Sequence, residues 1–474
     1  MKNQLGYHLG MRATSLPYFD RDFTMKKLGV TLLTSLLFAG PVTADTLEEA
    51  LLAGMQNSDS LMAAQQGFLS AKQAVALATS GNDMTGTLTV KGAHTESDKK
   101  STSGGFASSN SYSASVGVSK RIFDSGEAEA RLASANYNLT TQRATYRAQE
   151  QRVMLSVIEA YLNLLTAREA LALQQENVAR LTAQTDATRI RLDAGTTTAT
   201  RLAEAEARLA RAKSNLIGAE TAEETAFETY QSLTNLSADT LSLPAAPKNL
   251  PQGLGEAEDQ ALANHPDIQS ATANLRAARS DFDVLARQVL PKVNFSLSAT
   301  DSEATGTMQD KLDVKAEVVL TTPFLVTNGS RARGKQQSAT IERAKYSLAD
   351  TTRQVALNAR SSWRSLRSAI AQRQAVVTEL NAAELVAEGI RTEVEFGQKI
   401  FLDQLDAEQS VSDAKVRLVQ ADEAIMLNRY RLLAALGQLD AEAIGMSGQI
   451  IELDDLDDPA DVFTRLLPVA DLPE

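Results

Sequence analysis

The sequence predicts an internally duplicated α+β membrane protein. Short β-hairpins pooled from several chains close one barrel, and very long helices continue it as a hollow tube. Three observations carry this prediction. Of the 11 prolines in 474 residues, none falls between Pro41 and Pro244 or between Pro323 and Pro459, and proline interrupts both helix interiors and central strands. Those two stretches are rich in Ala, Leu, Gln, Glu and Arg, the composition of long helices. Four short segments alternate apolar and polar residues with the period of a strand. Finally, Asn57-Ser58-Asp59-Ser60-Leu61 recurs as Asn264-His265-Pro266-Asp267-Ile268, with Ala64 and Ala71 falling on Ala271 and Ala278 in the same register, so the halves read as a duplication.

Composition excludes several function classes. With no Cys and only His8, His94 and His265, disulfides, thiolate metal sites and cysteine nucleophiles are removed, and a His-based metal or catalytic cluster has no ligands to draw on. The formal net charge is −12, which argues against nucleic acid as a partner. No phosphate-binding loop is present. No cofactor and no enzymatic activity are expected.

In chain order, residues 1–24 form an extension of mixed charge without pattern, and translation starting at Met25 is an equally good reading. Met25-Lys26-Lys27, the apolar run Leu28 to Phe38 and Gly40-Pro41-Val42-Thr43-Ala44 make residues 25–44 a signal peptide cleaved after Ala44. The apolar run is well short of the ~20 residues of a spanning helix. The first repeat occupies 45–236, a Pro- and Gly-rich linker 237–255, and the second repeat 256–440. An acidic tail, 441–474, carries eight acids from Glu452 onward against Arg465 alone and reads as a solvated extension. No later segment is apolar enough to cross a bilayer as a helix, so membrane contact must come from strands.

The strands are read from Leu88 and Val90 between Thr87 and Thr89; from Tyr112, Ala114, Val116 and Val118; from Val293, Phe295, Leu297 and Ala299; and from Leu312, Val314, Ala316 and Val318. Ser97 to Asn110 and Asp301 to Asp310 are expected as polar loops. One face of each strand is apolar and the other polar, as in a membrane barrel, though a soluble hairpin packed on a helix shows the same alternation. Four strands cannot close a transmembrane barrel, for which about eight is the minimum, so several chains must share one.

From Gly126 to Ala194, and again from Gly329 to Phe396, no proline interrupts the pattern, enough for one helix, or two stacked ones, to reach on the order of 100 Å. The helix returning from the second stretch carries two apolar seams. Leu402, Leu405, Val416, Val419, Met426, Tyr430 and Leu433 share one frame, and Val411, Leu418, Ile425 and Leu432 repeat every seventh residue beside it. Two seams suit a helix flanked on both sides, as in a closed ring of helices; a solid bundle is the alternative, but its core should be richer in Leu, Ile and Phe than these helices are. Trp363 is read as packing, and His94 and His265 as residues without partners.

The order of elements, the duplication and several motifs together resemble the TolC family of outer-membrane efflux and secretion proteins, over Thr46 to Asp440. The carrying motifs are Asn264-His265-Pro266-Asp267, Leu290-Pro291 before a strand, Ile122-Phe123-Asp124-Ser125-Gly126 at a strand-to-helix junction, Val394 to Ala407 at a helical tip, and Leu432-Leu433-Ala434-Ala435-Leu436-Gly437 at a helix end. The resemblance implies a homotrimer in the outer membrane of a Gram-negative bacterium, with four strands per chain in a twelve-stranded barrel and a helical tunnel through the periplasm. It implies a duct from a tripartite export machine, for type I protein secretion or, alternatively, for small-molecule efflux. A barrel-anchored coiled-coil adhesin is the rival outside that class. The implied partners are other copies of the chain, outer-membrane lipid, a periplasmic adaptor and an inner-membrane transporter. By the same resemblance the adaptor docks on Leu192, Asp193, Ala194, Gly195 and Thr196 and on Val394, Glu395, Phe396, Gly397 and Gln398. Inward-facing acids narrow the tunnel at Asp403 and Asp406, with Lys399 as the tip cation. Both acids also lie where a helix start favours them, and Lys399 can pair with Asp403 at i to i+4.

Overall fold

A computed structural model of the chain describes residues 46–440 apart from 100–104, 239, 248–249, 305–310 and 326, together with residue 444. The expected signal peptide and nearly all of the acidic tail lie outside the described residues. The first repeat runs α1 (Leu47–Gln56), α2 (Asp59–Thr79), β1 (Thr85–Lys99), β2 (Gly105–Phe123), α3 (Glu127–Asp193) and α4 (Ala199–Thr234). The second runs α5 (Leu254–Asn264), α6 (Pro266–Arg287), β3 (Lys292–Ala304), β4 (Lys311–Thr321), α7 (Asn328–Glu395) and α8 (Phe401–Leu436). The duplication extends to length: α3 and α7 have 67 and 68 residues, and α4 and α8 have 36 each. Each long helix is continuous and spans about 100 Å at 1.5 Å per residue.

The repeated motif proves to be a helix start. Ser58 caps α2 by accepting the Leu61 N–H at 3.3 Å, and His265 caps α6 by accepting the Asp267 N–H on Nδ1 at 3.2 Å, with Pro266 in the first turn, where its missing N–H costs nothing. His265 is therefore not partnerless, and neither is His94, whose Nδ1 lies 2.5 Å from Asn110 Oδ1 across the β1–β2 ladder.

The four strands form one antiparallel sheet in the order β1-β2-β3-β4. Its register sorts side chains by face across the whole sheet. Leu88, Val116, Ala299 and Val314 align in one row, and Gly86, Val118, Leu297 and Ala316 in the next. Between them, on the other face, run Thr87, Gly117, Ser298 and Lys315, then Thr89, Ser115, Thr300 and Asp313. The apolar face is uncovered, with Leu88, Val90, Val116, Leu312, Val314 and Val318 all exposed, so a soluble hairpin packed on a helix does not describe it. The strands run further than expected. Backbone pairing continues through Lys99↔Gly105, His94↔Asn110 and Ser302↔Lys311, into stretches expected as loops. Past the apolar rows the alternation disappears while the backbone ladder between neighbouring strands still pairs N–H and C=O groups.

Strands give way to helices through a buried polar junction that joins the repeats. The Asp124 carboxylate accepts the N–H of Ala128 at 2.7 Å and of Gly126 at 2.8 Å, and Asn82 at 3.3 Å. Burial pushes its pKa up, but those donors and Arg121 outweigh burial and hold it below the usual value. Glu127, almost wholly buried, pairs with Arg131 of its own helix and Lys292 of β3. Ser125 Oγ donates to the Pro291 carbonyl at 2.6 Å, and Arg287 to the Gly126 carbonyl at 2.9 Å.

The main core lies near the far ends of α4 and α8, where Leu51, Met154, Ile158, Tyr161, Tyr230 and Leu433 cluster. The linker is strapped to it: Tyr161 OH donates to the Ser242 carbonyl at 2.6 Å, and Tyr430 OH to the Ala245 carbonyl at 3.2 Å. Both expected seams of α8 are used. Tyr430 and Leu433 face the cluster built on α3, while Ile425, Leu432 and Leu436 face Val355, Ala359 and Leu366 of α7, with Trp363 packed alongside. Among the described residues no helix is long and apolar enough to cross a membrane.

Helix α8 ends at Gly437, with φ +72°, where a Cβ would come within 2.7 Å of His265 Cα; at Gly397, φ +71°, nothing lies within 4 Å. Gly437→Ala is expected to lower stability more than Gly397→Ala, which carries only the left-handed backbone cost of about 1–2 kcal/mol; thermal unfolding of the two variants checks the order. On α3, burial pushes Glu150 up from 4.5 to about 7, with Asp440 adding to the shift and Arg147 opposing it. A carboxyl raised in the folded state stabilises below its unfolded pKa, and the contribution disappears as pH rises through the folded value. Glu150 is therefore expected to remove up to about 3 kcal/mol per chain between roughly pH 4.5 and 7. Denaturation of Glu150→Gln across that range should show a flatter profile than the native protein.

Candidate functional site

The two helical hairpins end in the same backbone device. At the first tip the Thr196 N–H donates to the Arg191 carbonyl at 2.8 Å and the Gly195 N–H to Leu192 at 2.8 Å. At the second, Gln398 donates to Glu393 at 2.8 Å and Gly397 to Val394 at 3.0 Å. This paired closure of the last helical carbonyls requires a left-handed residue, and Gly195 and Gly397, both at φ +71°, supply it. Thr198 then caps α4 by accepting the Arg201 N–H at 3.4 Å. At the start of α8 the relation is reversed: Asp403, inside the first turn, reaches back and accepts the Ile400 N–H at 3.4 Å.

Of the tip residues singled out from sequence, Asp193, Ala194, Gly195, Thr196, Glu395, Phe396, Gly397 and Gln398 are exposed, and Leu192 and Val394 are half-buried. Phe396 is 76% exposed, unusual for so large an apolar side chain in a place with no packing role. Behind the tips an open cleft of about 460 Å³ separates α3 from the α7–α8 hairpin, lined by Gln184, Thr188, Arg191, Arg391, Glu395 and Gln404.

The acids behave differently from one another. Asp403 is half-buried and engaged in capping. Asp406 is 60% exposed, and its carboxylate pairs with Arg208 of α4. Lys399 is exposed and forms no ion pair with Asp403 or any other described residue; only its backbone N–H is engaged, by the Glu393 carbonyl at 3.3 Å. The i to i+4 pair expected from spacing does not form, because Asp403 turns back toward the backbone at the helix start.

A cross-repeat contact invisible in the sequence pattern surrounds these residues. Leu405 is buried with Leu181 of α3 and Ala212 of α4, flanked by Val178, Leu209 and Phe401. Glu408 of α8 lies 3.9 Å from both Arg180 of α3 and Arg391 of α7, and Asn177 donates to Gln409 at 3.3 Å. The first turns of α8 are thus held against both helices of the first repeat. Leu405 was legible as a seam residue. Arg208, Arg180 and Glu408 were not, since nothing in local spacing brings α4 or α3 to α8. Among the described residues no group of acids and histidines is arranged to hold a metal ion.

The chain matches the family described as Outer membrane efflux protein over residues 49–236 and 258–438, the two repeats with the linker left out. It is 27% identical over 421 residues to the outer membrane efflux protein BepC of Brucella suis, covering 88% of this chain and 91% of that one. It is 23% identical to the alkaline protease secretion protein AprF of Pseudomonas aeruginosa, over 70% of each. The fold is shared with the outer-membrane channel OprN, at TM-score 0.72 and 18% identity over 83% of this chain and 90% of that one. The chain belongs to the outer membrane efflux protein family, the TolC family anticipated from its motifs, and is a channel protein of the Gram-negative outer membrane that extends into the periplasm.

Proposed function

We propose that three copies of this chain form the outer-membrane exit duct of a tripartite export machine, working with a periplasmic adaptor and an inner-membrane transporter. The observation that carries this reading is the sheet, apolar on one uncovered face and polar on the other, with β1 and β4 left as open edges. Lipid tolerates no unpaired strand edge, so β4 of one copy pairs with β1 of the next, and three four-stranded contributions complete a barrel of twelve. The polar face, including the Lys311–Asp313 and Lys315–Glu317 pairs, then lines water. The long helices enclose the same water below.

At the far end the exposed tip residues Leu192 to Thr196 and Val394 to Gln398 receive the adaptor, with Phe396 as the apolar anchor. Asp403 and Asp406 of all copies converge there and favour cations over anions. Each Asp406 is partly compensated by Arg208, and Lys399 adds an unpaired cation. Energy for transport comes from the inner-membrane partner.

The cargo is read first as a protein of a type I secretion route, supported by the likeness to AprF. Small-molecule efflux is the second reading, favoured by the likeness to BepC over nearly the full length of both chains. Deleting the gene separates them. Loss of a secreted protein with unchanged drug sensitivity supports the first, and drug hypersensitivity with an intact secretome replaces it by the second. For the entrance, replacing Asp403 and Asp406 together by Ala is expected to weaken block of single-channel current by multivalent cations. Arg208→Ala should strengthen it by roughly tenfold, about 1.4 kcal/mol. Unchanged block in both variants would remove these residues from the conducting path.

A further inference from the structure

The packing order of the helices defines two long sides of the chain. On the strand side α2 packs on α3, α3 on α6 and α6 on α7; on the tip side α4 packs on α3, α3 on α8 and α8 on α7. In both halves α7 lies at one side, continuing β4, while α2 and α4 lie at the other, below β1. The unoccupied side of α7 exposes Tyr346, Leu357, Leu385 and Val386, and that of α4 exposes Ile217.

We infer that the open side of α4 docks on the open side of α7 in the next copy, with Glu224 and Glu228 of one chain meeting Arg364 and Arg367 of its neighbour. The inference rests on the trimeric reading above and specifies its contact. Heights decide the match. The hairpins turn at equivalent glycines after long helices of 67 and 68 residues, so distances along both returning and descending helices can be measured from the tips. Counting from Ala199, Glu224 and Glu228 lie about 38 and 44 Å up α4, and counting back from Glu395, Arg367 and Arg364 lie about 42 and 46 Å up α7. Glu224 and Glu228, a turn apart, are both exposed, as are Arg364 and Arg367. No ion pair within the chain satisfies Glu220, Glu224, Glu228 or Arg364 among the described residues, although neighbouring Glu223, Arg360 and Arg373 are all paired. Arg367 lies over the Trp363 ring at 5.8 Å, which leaves its guanidinium edge available.

The charge balance is regional. From Asn328 to Arg373, α7 carries ten Lys and Arg against Glu342 and Asp350 alone, while Glu220 to Glu228 of α4 carries four acids and no base. Below the charged level both sides carry mostly small residues, interrupted on α7 by Leu385. On α4, Ala203, Ala207, Ala210 and Ser214 share the open side, and on α7 Ala371, Ala375, Ala382 and Val386 do, all exposed. Their three- and four-residue spacing suits close approach of two helices. A slip of one turn, about 5.4 Å, that lowers α4 against α7 would leave the carboxylates roughly 7–9 Å below the guanidinium groups, so the charges limit the register that the small residues leave free.

Because the chain has no cysteine, the contact can be tested in the full-length protein extracted in detergent. Carrying Glu228→Cys and Arg364→Cys together on one chain should give covalent dimers and trimers on oxidation, and neither substitution alone should. Glu224→Arg with Glu228→Arg, or Arg364→Glu with Arg367→Glu, is expected to lower the trimer fraction at least tenfold with the helical circular-dichroism signal retained. Combining all four should restore it, since the swapped charges meet again across each contact. A native trimer that neither cross-links nor shows rescue overturns this contact and leaves the trimer standing. A native protein that is monomeric overturns both.

Discussion

The structure depends on one unmet requirement: the outer edges of β1 and β4 present backbone N–H and C=O groups that lipid cannot satisfy. Each such group left open in a hydrocarbon environment costs several kcal/mol, and no rearrangement of four strands within one chain can remove both edges. Assembly is therefore a consequence of strand number. Every other feature follows the sides so defined: α7 continues the β4 edge and α2 and α4 the β1 edge, so the same two flanks are exposed from membrane to tip.

Much of this was legible in sequence because it rests on periodicity. Leu88, Val116, Ala299 and Val314 announced an apolar face before their alignment in one row was known, and the proline-free stretches announced α3 and α7 nearly to the residue. Gly195 and Gly397 marked the turns because only a left-handed position closes a helix in that way. What escaped has no local signature. The strand ends past the apolar rows carry no apolar/polar alternation in sequence, so periodicity cannot report them. Arg208 of α4 and Arg180 of α3 meet acids of α8 only through tertiary packing, and Lys399 loses its expected partner to a capping interaction in the first turn of the helix. The adaptor-docking and gating roles proposed for the tip rest on family resemblance, and residue spacing alone would not have suggested them.

The junction beneath the sheet shows how two mechanically different halves are joined. Asp124 and Glu127 are carboxylates retained in a buried setting because donors from both repeats converge on them, Asn82 and Arg131 from the first and Lys292 from the second. Removing one donor would leave charge uncompensated, so barrel and helices are constrained to move as one body there. Nearer the tip the repeats are joined by partly solvated ion pairs, with Glu408 3.9 Å from each of Arg180 and Arg391.

The near-identity of the two long helices, 67 and 68 residues, makes the pair a matched ruler. An insertion in one alone would stagger the rim and leave half of the hairpins out of reach of whatever caps the duct. Changes in reach across the periplasm are thus confined to compensated steps taken in both repeats at once, and a gap of another width would be spanned by a protein altered twice.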